Sequence, residues 1–61
     1  MENIYTIYLR ESDGESKTCH YVAVAKDMIG AAMTAIALAK KTEGMKRPEI
    51  TSIYLEGPRA F

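Results

Sequence analysis

The stretch NIYTIYLRESDGESKTCHYVAV, Asn3 to Val24, decides the fold. Its two ends, Asn3 to Arg10 and Thr18 to Val24, are rich in β-branched and aromatic residues, and turn formers Glu11-Ser12-Asp13-Gly14-Glu15-Ser16 lie between them. The pattern predicts a β-hairpin. With Asp13-Gly14 at the centre of a type I′ turn, Ile7 faces His20 and Tyr5 faces Val22. Side chains alternate, so this register places Tyr5, Ile7, Leu9, His20, Val22 and Val24 on a core face. Ile4, Thr6, Tyr8, Arg10, Lys17, Cys19 and Tyr21 fall on the other. A three-residue turn with a bulge moves the pairing by one and voids these cross-strand assignments.

Working outward, Asp27 is placed to cap a helix from Met28 to Glu43, with Lys40 and Lys41 at its negative end and Gly44 beyond it. Sixteen residues at 1.5 Å rise span roughly 24 Å, close to the roughly 23 Å of a seven-residue strand. One pass of the helix covers the hairpin. A third extended run, Glu49 to Glu56, ends at Gly57-Pro58. The expected fold class is α+β, a ββαβ chain whose three-stranded antiparallel sheet has the order 2-1-3, with the helix packed on one face and the other face bare. The 61 residues form a single small domain, 1–61.

Eight Lys and Arg balance eight Asp and Glu, so the chain lacks the electrostatic attraction that drives binding to nucleic acid or anionic membrane. The basic cluster Lys40, Lys41, Lys46 and Arg47 is expected near Glu11, Asp13 and Glu15, which offset its field. A single cysteine precludes an internal disulfide and suits a reducing, cytoplasmic setting. No run of apolar residues is long enough to span a membrane, and Met1-Glu2-Asn3 lacks the basic start of a signal peptide. Neighbours on a strand point to opposite faces, which separates Cys19 from His20 and leaves neither a catalytic pair nor a metal chelate. The expectation is a protein without catalytic residues, metal or cofactor.

Two surfaces stand out as partner sites. Tyr8, Tyr21 and Tyr54, accompanied by Arg10, are assigned to the bare sheet face, a composition enriched at protein-binding hot spots. On the helix, Ile29, Ala32, Met33 and Ile36 form the stripe expected to cover the sheet, and Met28, Ala31, Ala35 and Leu38 form a second apolar stripe on the opposite flank. The second stripe reads as a homodimer interface. The function expected is a non-enzymatic protein-protein interaction module acting as a small homodimer. Single-stranded nucleic-acid binding through the tyrosine face is the alternative.

The arrangement YTIYLRESDGES, then a strand leading through AKD into an alanine-rich helix, then ITSIYLEG, resembles very small ββαβ proteins of bacteriophages and mobile elements, anti-CRISPR inhibitors among them. The resemblance lies in element order and turn chemistry. It implies inhibition of a host defence protein by occlusion of its surface, and it assigns no site residue.

Overall fold

A computed structural model describes residues 2–14 and 16–59; the readings made above on Met1 and Glu15 lie outside the described residues. The chain runs β1 (Asn3–Glu11), β2 (Thr18–Ala25), α1 (Met28–Thr42) and β3 (Pro48–Pro58). The strands form one antiparallel sheet of order β2-β1-β3, as the sequence predicts, with α1 lying across one face. The molecule measures 38 × 18 × 16 Å, a two-layer slab with its length along the strands. Two layers leave the second face of the sheet uncovered.

Asp27 caps α1, its side chain accepting the Gly30 amide at 2.8 Å. At the other end Gly44, at φ +68°, turns the chain in a conformation that costs glycine little, and brings Met45 back under the helix. The Met45 amide donates to the Ala39 carbonyl at 3.2 Å, and its side chain is buried. β3 has two more residues than β1, absorbed by register shifts beside Tyr8/Leu9 and Ile4/Tyr5. Thr51 and Glu56 are the residues left over, in the manner of β-bulges.

The hairpin register differs from the expected one by a single residue. Ile7 pairs with Tyr21 and Tyr8 with His20, and the Glu11 amide donates to the Lys17 carbonyl at 2.8 Å, leaving residues 12–16 as the loop. A type I′ turn needs positive φ at both central residues, which Asp13 does not adopt; among the described residues of this loop Gly14 alone is positive, at φ +93°. The loop is further fixed from a distance. The Glu11 carboxylate accepts the amides of Lys46 at 2.7 Å, Arg47 at 2.8 Å and Asp13 at 3.2 Å, while the Ser12 hydroxyl and amide donate to the Arg47 carbonyl. A slip of one residue exchanges the two faces of a strand. Strand β1 keeps its expected core residues Tyr5, Ile7 and Leu9, but in β2 Cys19, Tyr21 and Ala23 turn toward the helix and His20, Val22 and Val24 toward solvent.

The helix is also rotated from its expected setting. Ala31, Ala35 and Ala39 are 0% exposed against the sheet, whereas Ile29 and Met33 are 73% and 67% exposed. Size complementarity accounts for this. The sheet brings the bulk in Tyr5, Ile7 and Leu9, and alanines at four-residue spacing let the helix backbone settle close upon it. Gly30 lies beside Ala25 at the helix start, where an added Cβ would make an ordinary contact at 3.5 Å. Ile36 alone of the expected covering stripe packs against the core from the helix flank as a large side chain.

Candidate functional site

The bare face of the sheet is centred on Tyr8 in the middle strand. The pairing sets His20 of β2 directly across from it on one side and Ser52 of β3 on the other, with Tyr54 on the adjacent diagonal position. The rings meet. Tyr8 and His20 stack at 5.5 Å between centroids with 30° between planes, and the Tyr54 ring stands edge-on to Tyr8 at 6.0 Å and 85°. Both geometries are favoured by the ring quadrupoles and contribute about 0.5–1.5 kcal/mol each beyond area burial. The cluster therefore fixes its rings before any partner arrives. Tyr8 and Tyr54 remain exposed.

Val22 and Val24 extend this face along β2, and Val22 is 65% exposed. Toward the hairpin a shallow hollow of about 340 Å³ is lined by Tyr8, Arg10, Thr18, His20 and Thr51, among others. Arg10 at its rim forms an ion pair with Glu49 across the strands at 3.5 Å. That pairing balances the arginine's charge and leaves the aromatic face electrically neutral. A second, larger hollow, about 450 Å³, lies at the base of the hairpin loop and is polar, with Arg10, Glu11, Lys17 and Glu49 on its walls.

Of the four residues assigned to this face from sequence, Tyr8, Arg10 and Tyr54 are on it. Tyr21 is not. The shifted register turns it beneath α1, where its hydroxyl lies 2.6 Å from Thr42 Oγ1 and donates to the Leu38 carbonyl at 3.4 Å. It ties the helix end to β2. His20 takes the place in the cluster that had been given to Tyr21. What decides it is the parity of the loop, which the sequence does not display: an odd number of loop residues reverses the faces of β2.

The stripe read as an oligomer interface is likewise divided by the helix rotation. Met28 is exposed and Leu38 half-buried, but Ala31 and Ala35 are the residues on which the helix rests against the sheet. They offer no outward surface. The outward apolar side chains of α1 are Met28, Ile29 and Met33.

Cys19 and His20 lie on opposite sides of the sheet, and the Cys19 Sγ sits 4.0 Å from Met45 Sδ. Desolvation, followed by the charge of Glu43, raises the thiol pKa above its ordinary value and favours the protonated form. Among the described residues no group of three His, Cys, Asp or Glu side chains is placed to hold a metal ion. Glu11 is the acid drawn to the Lys46-Arg47 loop, through backbone amides. Desolvation acts to raise its pKa, but the amides of Arg47, Lys46, Asp13 and Ser12 together outweigh it and hold the pKa below the ordinary carboxylate value. Lys17 donates to the Glu43 carbonyl at the helix end. Among the described residues no helix is long and apolar enough to cross a membrane. No family model, curated protein or solved structure matches the chain.

Proposed function

We propose that this chain is a non-enzymatic protein-binding module that occupies a surface of a partner protein through its bare sheet face. The observation that carries the reading is the Tyr8-His20-Tyr54 cluster, exposed and held in place by its own ring contacts. Rings that are already ordered lose little conformational freedom on binding. Aromatic side chains rank among the commonest hot-spot residues, and a neutral face suits the partly apolar centre of a protein interface better than a polyanion. Arg10, held by Glu49, lies at the polar rim. Occlusion of the partner's surface is the proposed mode of action.

The test compares retention of partner proteins from lysate by the wild type, Tyr54→Glu and Met33→Glu. A protein held by the wild type and by Met33→Glu, lost with Tyr54→Glu, supports the sheet face. Equal retention by all three removes it. Fluorescence anisotropy with single-stranded RNA and DNA at low and high salt tests the alternative, for which binding must be salt-sensitive and lost in Tyr8→Ala.

A further inference from the structure

The sheet has two outer edges, and they differ in kind. Along β3, Pro48 and Pro58 stand at the ends, Glu49 and Glu56 are exposed, and the extra residues Thr51 and Glu56 interrupt the register. These are the features that natural sheets use to prevent edge-to-edge pairing. The β2 edge has none of them. Thr18–Ala25 contains no proline, glycine, lysine or acid, and its eight pairs with β1 run without a shift.

The bond from the Glu11 amide to the Lys17 carbonyl sets the phase of this edge. In an antiparallel ladder residues that bond to one neighbour alternate with residues that bond to the other. The odd-numbered residues of β2 face β1, and Thr18, His20, Val22 and Val24 direct their amides and carbonyls away from the sheet. The same four carry their side chains on the bare face. Val22, 65% exposed, is at their centre.

We propose that a second copy of this chain pairs with β2, antiparallel, about a two-fold axis through Val22. This register places Val22 opposite Val22 of the second copy and His20 opposite Val24 of the second copy. The outward backbone groups of His20, Val22 and Val24 then meet one another in phase, which is the self-complementarity an isologous interface requires, and Thr18 falls level with Lys26 of the second copy, just past the strand end. The strand interiors bring no like charges together, and just beyond them Lys17 falls level with Asp27 of the second copy. The product is a continuous six-stranded sheet with order β3-β1-β2-β2-β1-β3. A two-fold axis perpendicular to the sheet leaves both helices on one side and both aromatic clusters on the other. The inference rests on the backbone of the β2 edge and not on what the Tyr8 cluster binds; His20 gives its ring to that cluster and its backbone to this edge.

Sedimentation equilibrium over micromolar to millimolar protein, with amide hydrogen exchange, tests it. The expected mass rises to twice 6.8 kDa, and in the dimer the amides of His20, Val22 and Val24 are protected along with those of Tyr21 and Ala23. Val22→Lys puts like charges on the axis and is expected to weaken association by about tenfold or more with an unchanged circular dichroism spectrum. Val22→Pro removes an edge amide that β1 does not use and should act in the same direction. Tyr54→Glu, on the aromatic face, is expected to leave the mass unchanged. A mass of 6.8 kDa at every concentration overturns the proposal. It is equally overturned by a dimer as tight in Val22→Lys as in the wild type, or by fast exchange at His20, Val22 and Val24 in the dimer.

Discussion

The two sides of α1 carry their apolar residues in the reverse of the familiar arrangement. The inner side, Ala31, Ala35 and Ala39, is the smaller and is wholly buried; the outer side, with Ile29 and Met33, is the larger and is exposed. Hydrophobicity alone ranks the outer side first. What decides is the surface it must meet, which already holds Tyr5, Ile7 and Leu9 and receives small side chains better than large ones. Burial here follows shape, with apolarity as a precondition.

The strongest way to break that comparison is to enlarge the inner side. Ala35→Leu forces bulk between helix and sheet and is expected to cost about 1–3 kcal/mol, read from urea unfolding; a neutral result would mean that the helix rests on another stripe. Tyr21→Phe sharpens the contrast between the two faces of β2, because only the covered face has a hydroxyl bridging to the helix end. Its expected cost is about 0.5–1.5 kcal/mol, and Tyr54→Phe on the bare face provides the comparison.

On the outer side, Met33→Ala is expected to stay within about 0.5 kcal/mol of the wild type, and a loss of several times that would show the outer side to be packed. The last test reads how stability changes with acid. The pKa of Glu11 is lowered from its ordinary 4.5 by amides that only the folded chain presents. Its contribution is complete above the unfolded value and is lost as pH falls through the lower folded one. Thermal midpoints measured from neutral to acid pH should decline less steeply in Glu11→Gln than in the wild type across that acid window.

Element order, the strand order, the Asp27 cap and the bare face were legible in the sequence because each rests on local chemistry or on chain lengths. The register was not. It turns on whether Asp13 adopts positive φ and on a carboxylate, Glu11, whose amide partners Lys46 and Arg47 are 35 and 36 residues away. No local pattern encodes such a pairing. Tyr8, Arg10 and Tyr54 were placed on the bare face correctly, since β1 kept its phase and Tyr54 pairs with Thr6 beside it. Tyr21 and His20 exchanged roles with the one-residue slip. The helix setting escaped for a different reason: an apolar stretch with large residues on one side and small ones on the other has two plausible inner faces, and only the opposing surface chooses.

The central place of β1 also gives it two edges to be covered. It is the first strand in the chain and the middle one in the sheet, and its partner on one side, β3, comes last, with Tyr8 pairing Ser52. Contacts so distant in sequence are costly to close, whereas the hairpin and the helix following it are built from near neighbours. Until β3 docks, the outward amides of Thr6, Tyr8 and Arg10 form a second open edge beside that of β2. The bulged, proline-ended strand thus covers the edge of β1 that the hairpin leaves open and closes the sheet to misassembly along that side.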